Sequence, residues 1–193
     1  MKVSVFGAGY VGLVTAACLA EMGNSVVCVD INETRVSALN QGEVPIHEPG
    51  LTELVIRNQQ ASRLSFTLDA SAAVAHATII FIAVGTPANE DGSADVEHVL
   101  AAARTIGQCM QDYKVVVNKN TVPVGTEWRE FRSPDFAELR AVMKEPIVID
   151  GRNLFDPVLM EEAGFEYVGV GRGKLLEYTA RQAVWAGRAL AVA

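Results

Sequence analysis

Residues 3–30 read VSVFGAGYVGLVTAACLAEMGNSVVCVD, and this stretch decides the fold of the 193-residue chain. Its apolar opening is too short for a globular helix and ends at glycines, which predicts a buried strand. From Val11 onward the apolar residues recur at helical spacing up to Gly23, and they predict a helix whose apolar face carries Val14, Cys18, Leu19 and Met22. A second strand, Ser25–Val29, then ends on Asp30. Strand, glycine turn, helix, strand and acid follow one another in the order that a dinucleotide-binding site requires.

The turn after the first strand carries glycines at G-x-G-x-x-G spacing. In such a turn Gly7 makes the tight bend, Gly9 lets the backbone approach a diphosphate, and Gly12 permits close packing of helix on strand. The helix N-terminus offers the diphosphate free N–H groups and the positive end of the helix dipole. Asp30 follows Gly12 by 18 residues, where a carboxylate accepts the hydroxyls of the adenosine ribose. A 2′-phosphate would meet a like charge there, so the sequence favours NAD over NADP, although Arg35 is near enough to leave the choice open.

Composition narrows the classes of partner. The 23 acidic residues outnumber the 16 basic ones, the net charge is −7, and no Lys/Arg cluster occurs, so we expect neither nucleic acid nor an anionic membrane as a partner. No apolar run is long enough to span a bilayer. The three histidines lack metal-ligand spacing, so no metal site is predicted. The cysteines are odd in number and widely spaced, and we expect them to be reduced core residues of a cytoplasmic protein: Cys18, Cys28 and Cys109.

Strands and helices continue to alternate after Asp30, with short connections. This alternation predicts an α/β fold, a Rossmann-like doubly wound parallel sheet over residues 1–126. The run TIIFIAV, residues 78–84, predicts a central strand buried on both faces. The loop GTPANEDGSAD follows it, and open α/β sheets bind ligands at such carboxyl ends of strands.

Residues 127–193 differ in character. Aromatic residues crowd the polar stretch EWREFRSPDF, and two short strands are predicted at 147–149 and 165–170. They amount to an incomplete α/β segment. We therefore divide the chain into a dinucleotide-binding domain (1–126), a remnant of a second domain (127–173) and a helical tail (174–193) that we expect to be frayed or partner-dependent.

The motifs GAGYVGL, IHEPGL, VGTP and NKNTVPVGT, together with Asp30, resemble the cofactor domain of the UDP-glucose dehydrogenase family. These enzymes use NAD to oxidise a nucleotide-sugar alcohol to the carboxylate in two steps, and GDP-mannose dehydrogenases share much of the pattern. The segments TEWREFRSPDF, IVIDGRNLFDP and AGFEYVGVGR resemble the end of the family's UDP-binding domain. Besides the three glycines and Asp30, the resemblance implies cofactor contacts at Tyr10, Val11, Arg35, Thr86 and Thr121, and a weak nucleotide-sugar contact at Arg152.

The long middle section of the family is not found in this sequence. TVPVGT joins TEWREF beside Thr126, as an internal deletion would leave it. The family's nucleophilic cysteine lies in an FGGSCFPKD-like segment that has no counterpart here, so we assign no catalytic residue. We favour a chain that keeps NAD binding but is inactive alone. Two alternatives stay open: a dehydrogenase that still acts on UDP-glucose, and an interaction module that self-associates or joins a full-length relative.

Overall fold

Four parallel strands build the sheet around residues 3–30, in a computed structural model that describes residues 1–87, 95–120, 134–143, 146–151, 153–169 and 191–192. The chain divides into two structural units. Met1–Lys114 and Asn118–Thr121 form the first unit, and Val115–Val117 and Val122–Ala193 form the second.

The first unit alternates strands with helices. Its elements are β1 (Lys2–Phe6), α1 (Tyr10–Glu21), β2 (Ser25–Val29), α2 (Glu33–Asn40), α3 (Leu51–Gln60), β3 (Leu64–Thr67), α4 (Ala70–His76), β4 (Ile79–Ile82) and α5 (Glu97–Cys109). The strands pair in parallel in the order β3-β2-β1-β4. The winding direction therefore reverses between β1 and β4, which is where doubly wound sheets bind ligands. The predicted Rossmann-like parallel sheet is confirmed.

The strand β4 is less buried than its sequence predicts. Ile80 and Ile82 are buried, whereas Ile79 and Phe81 are only half-buried. By register the half-buried pair lies on the α1 side of the sheet, and α1 packs mainly on β1 and β2. The expectation of complete burial for residues 78–84 is therefore wrong for one face of the strand.

The buried face of α1 also differs from the prediction. The helix packs on the sheet through small residues and one leucine: Gly12, Leu13, Ala16, Ala17 and Ala20. Met22 is 78% exposed and Cys18 is exposed, while Val14 and Leu19 are partly buried. Small side chains let a helix lie close to a sheet, and α1 is apolar on all sides, so its periodicity does not identify the packed face. Of the cysteines expected in the core, Cys28 is buried, Cys109 is half-buried and Cys18 is not buried.

Local hydrogen bonds fix the ends of the shorter elements. The Asn32 side chain accepts from Arg35 N at the start of α2, as predicted, and Gly50 immediately precedes α3 with a φ of +80°.

The strand β3 stands at one end of the strand order, and the Asn40 side-chain amide donates to its Phe66 carbonyl at 3.2 Å. That bond occupies one acceptor on the outer strand.

The second unit is a smaller parallel arrangement. Its elements are α6 (Phe136–Val142), β6 (Ile147–Asp150), α7 (Pro157–Glu162), β7 (Glu166–Gly169) and β8 (Ala191–Val192), and β5 (Val115–Asn118) contributes its first three residues. The strand β6 pairs with both β7 and β8. The Phe136 ring meets Phe155 and Phe165 edge-on, at centroid distances of 5.4 and 5.8 Å. The two predicted short strands form. Most of the predicted helical tail (174–193) lies outside the described residues, but Ala191–Val192 form the strand β8, so the helix prediction is wrong for these two residues.

Of the helices in the described ranges, none combines the length and the apolar composition that a bilayer crossing needs.

Candidate functional site

The glycine turn joins β1 to α1, and its three glycines meet different surroundings. Gly7 has a φ of +103°, and a Cβ there would lie 2.5 Å from the Ala83 carbonyl oxygen. A Cβ on Gly12 would lie 1.8 Å from the Gly7 carbonyl oxygen. A Cβ on Gly9 would meet no atom within 4 Å. Gly7 is therefore required by the packing of the turn against the segment after β4, Gly12 is required by the packing of α1 against the turn, and Gly9 borders open space.

The N-terminus of α1 opens onto that space. Gly9 caps the helix without a side-chain hydrogen bond, and the first turn contains no acidic residue. The first N–H groups of a helix lack partners within the helix, and they carry the positive end of its dipole. This end of α1 is therefore suited to hold an anion such as a diphosphate.

Asp30 lies at the carboxyl end of β2, turned back toward the glycine turn. The residue is 8% exposed. Its Oδ2 accepts a hydrogen bond from Ala8 N at 2.7 Å and an ion-pair contact from Arg35 Nη1 at 2.9 Å, and its Oδ1 accepts from Asn32 N at 2.9 Å. These three contacts fix the carboxylate, and the hydrogen bond from Ala8 N links the end of β2 to the glycine turn.

A cavity of about 440 Å³ joins these features. Asp30, Arg35, Gly7 and Gly9 all line it, and so does one side of α5: His98, Ala101, Ala102 and Thr105. Its volume is within the range of small-molecule sites. The cavity therefore brings an anion-binding helix end, a fixed carboxylate and a guanidinium to one place.

Most residues that line the cavity carried no site prediction from the sequence, and two of them have large, exposed apolar side chains. Ile31 follows Asp30 and is 93% exposed, and Leu68 follows β3 and is 49% exposed. Both are large apolar side chains at the carboxyl ends of neighbouring strands, where a planar base can lie against them. Their positions immediately after the strand ends are the signal that could have identified them.

The other predicted site residues lie around the margin of the cavity or outside the described ranges. Tyr10 is 57% exposed, and its hydroxyl donates to Glu48 Oε2 at 2.8 Å. That hydrogen bond, with the Glu48 charge, raises the pKa of Tyr10. Val11 packs against the core, and Thr86 is half-buried between the cavity residues Gly85 and Pro87. The remaining two lie outside the described residues: Thr121 and Arg152.

None of the three cysteines is among the described residues that line the cavity. Cys28 lies under the turn, with its Sγ 3.7 Å from the Gly7 carbonyl oxygen. Burial, and then the charge of Asp30, raises the pKa of the Cys28 thiol far above its ordinary value. Because the thiolate is the nucleophilic form, Cys28 is unsuited to covalent catalysis.

Residues 1–134 match the family model described as the NAD-binding domain of the UDP-glucose/GDP-mannose dehydrogenase family. The UDP-glucose 6-dehydrogenase of Pseudomonas aeruginosa is 56% identical over 130 residues, which is 67% of this chain and 28% of that enzyme. The solved UDP-glucose dehydrogenase of Pyrobaculum islandicum superposes with a TM-score of 0.61 at 46% identity, over 65% of this chain and 30% of that one.

The match to another solved relative extends over a larger part of the chain. The UDP-N-acetyl-mannosamine dehydrogenase Cap5O of Staphylococcus aureus covers 86% of this chain and 34% of its own, at 25% identity and a TM-score of 0.57. The chain spans less than a third of the length of the curated relatives it matches first.

Proposed function

The chain belongs to the UDP-glucose/GDP-mannose dehydrogenase family and carries its NAD-binding domain, and on this premise we propose that it binds NAD in the cavity between the glycine turn and α5 and does not oxidise a nucleotide sugar by itself. We further propose that residues 1–126 form the cofactor domain and that residues 127–173 derive from the UDP-binding domain, joined to it by an internal deletion.

The position of Asp30 is the observation that supports the binding mode. Its carboxylate borders the same cavity as Gly7 and Gly9, and it is fixed by Ala8 N and Arg35. In the proposed mode the diphosphate lies on the N-terminus of α1 and the ribose hydroxyls donate to Asp30. The adenine ring lies against two apolar side chains, Ile31 and Leu68.

Each of these groups has a definite task. The N–H groups of α1 balance the diphosphate charge, Arg35 keeps Asp30 oriented, and the apolar pair excludes water from one face of the base. NAD, when bound, supplies the hydride acceptor. These groups bind and orient the cofactor, and none of them needs to transfer a proton.

The chemistry of the reaction supports inactivity. Oxidation of an alcohol through an aldehyde to an acid needs a nucleophile that adds to the aldehyde, for which the family uses a cysteine. Cys28 is buried, and Cys18 and Cys109 lie on helices outside the lining of the cavity in the described structure. We propose that UDP-glucose is bound weakly or not at all.

Calorimetric titration of the full chain with NAD, with NADH formation from UDP-glucose monitored in parallel, tests both parts. We expect saturable NAD binding and no NADH. Asp30→Asn is expected to weaken NAD binding at least about tenfold, because a hydrogen bond to a charged group contributes roughly 1.5–3 kcal/mol. Asp135→Asn, in the cap of α6, is the matched control and should leave the affinity unchanged. Steady NADH production would contradict inactivity, and absence of NAD binding would contradict the site.

A second candidate function is association with another copy or with a full-length relative. Val158 and Leu159 of α7 are 62% and 63% exposed, and apolar residues exposed side by side are found at contact surfaces. Sedimentation of the full chain beside a Val158→Ser, Leu159→Ser double variant tests it. A wild-type chain that sediments as a monomer at all concentrations would oppose this candidate.

A further inference from the structure

We propose that residues 43–50, between α2 and α3, form a strap that the hydrogen bond between Tyr10 and Glu48 fastens to the N-terminus of α1. Fastening of the strap and binding of NAD stabilise each other. This inference rests on the proposed NAD site and specifies a conformational element that sets its affinity.

The two halves of the strap are held in different ways. Val44 and Ile46 are partly buried and pack against the core of the first unit, whereas residues 47–50 are all exposed. The backbone hydrogen bonds described for this outer half join only near neighbours in sequence. Glu48 is also joined to a residue 38 positions away, because its Oε2 accepts from the Tyr10 hydroxyl at 2.8 Å. The Tyr10 hydroxyl therefore supplies a long-range attachment of the outer half.

Tyr10 stands between the strap and the proposed diphosphate site. It is the first residue of α1, so its backbone belongs to the helix end that is suited to an anion, while its side chain reaches Glu48. The hydrogen bond and the charge of Glu48 raise the pKa of Tyr10, which keeps the phenol protonated and able to donate. One residue therefore serves both the helix end and the strap.

The coupling follows from the position of Tyr10 in the first turn of α1. The end turns of a helix open more readily than its centre. A diphosphate that accepts from the free N–H groups of α1 holds the first turn closed, and the closed turn keeps the Tyr10 ring within reach of Glu48. By linkage, the fastened strap favours NAD by the same factor as NAD favours the fastened strap.

Amide hydrogen exchange measured by NMR at Glu48 and Leu51, beside calorimetric titration of the same full-length chain with NAD, tests the inference. In the wild-type chain we expect NAD to slow exchange at both amides. Tyr10→Phe should speed that exchange about threefold to tenfold without ligand and weaken NAD binding about twofold to fivefold, as the loss of one exposed hydrogen bond allows.

Further variants separate the strap from a direct contact between Tyr10 and NAD. Glu48→Ala removes the acceptor and should match Tyr10→Phe in both measurements. The double variant should lose no more than about twofold beyond either single variant, because the same bond is removed in all three. Glu48→Gln keeps an acceptor oxygen and should stay within about twofold of wild-type exchange. Tyr113→Phe removes the hydroxyl of another exposed tyrosine of the first unit and is the matched control, which should change neither measurement.

Unchanged exchange in Tyr10→Phe or in Glu48→Ala would overturn the inference, and so would exchange at wild-type Glu48 that bound NAD leaves unaltered. The proposed NAD site would survive these results, because NAD binding is measured separately. Additive losses in the double variant would mean that Tyr10 acts on NAD without the strap, which also contradicts the inference. If the wild-type chain binds no NAD, the proposed function fails and the coupling fails with it.

Discussion

The three glycines of the turn allow a sharp test, because alanine should impair stability at one of them and ligand binding at another. At Gly12 the new Cβ would lie 1.8 Å from the Gly7 carbonyl oxygen, and at Gly9 it would enter open space. The neighbour at Gly12 is backbone, which cannot rotate away as the end of a side chain can. Relief requires α1 to shift from β1 by more than an ångström.

Gly12→Ala should therefore destabilise the fold by about 3 kcal/mol or more, the upper part of the range for overpacking. For a chain of this size that loss corresponds to a fall in Tm of roughly 6–12 °C. Gly9→Ala should change stability by less than about 1 kcal/mol, because the loss of a favourable cap residue is offset by the lower entropy of the unfolded chain. It should nevertheless weaken NAD binding at least about tenfold, since the methyl group enters the space above α1.

Urea unfolding and NAD titration of both variants measure these effects. Gly107→Ala is the control for a glycine-to-alanine change as such, because it lies in the interior of α5 with nothing within 4 Å of the new Cβ. It should stabilise the chain by roughly 0.5–1 kcal/mol. A Gly12→Ala variant as stable as wild type, or a Gly9→Ala variant with unchanged NAD affinity, would refute the reasoning.

Three further predictions concern single side chains. The Tyr10 phenol should ionise at higher pH than free tyrosine, because Glu48 supplies both a hydrogen bond and a charge that raise its pKa. Glu48→Gln should lower that pKa again, and an NMR titration of the Tyr10 ring that shows no change would contradict this. Iodoacetamide should label the exposed Cys18 in the native chain and Cys28 only after unfolding, as peptide mapping by mass spectrometry can show; native labelling of Cys28 would disprove its burial. Asp156→Ala should lower the free energy of unfolding in urea by about 1 kcal/mol, because the Asp156 side chain accepts hydrogen bonds from two N–H groups of α7. Asp156→Asn should be nearly neutral, and equal losses for the two variants would contradict the capping role.

The sequence predicted the β1–α1–β2 unit closely because several local signals agree there. Ser25–Val29 forms the predicted strand, and Gly7 takes the left-handed conformation that only glycine adopts readily. These features depend on neighbouring residues, so local pattern suffices to find them. The same holds for Asn32, whose side chain caps the following helix.

Features that depend on tertiary packing were predicted less well. An apolar residue on α1 can face the sheet or the solvent, and the outcome was decided by the close approach that Gly12 and the alanines permit, which left Cys18 exposed. Ile31 and Leu68 join one cavity wall only because β2 and β3 end at the same edge of the sheet. The contact between Arg35 and Asp30 likewise joins a helix side chain to the end of β2, which their separation in sequence does not by itself predict.

The bond from the Asn40 amide to the Phe66 carbonyl has a consequence for the behaviour of the chain at high concentration. An outermost strand with free backbone groups is a template on which a strand from another molecule can add, and such addition leads to fibrils and precipitates. By occupying a carbonyl of β3, Asn40 makes docking of an incoming strand at that position less favourable. Asn40→Ala should therefore shorten the lag before a concentrated solution of the chain becomes turbid.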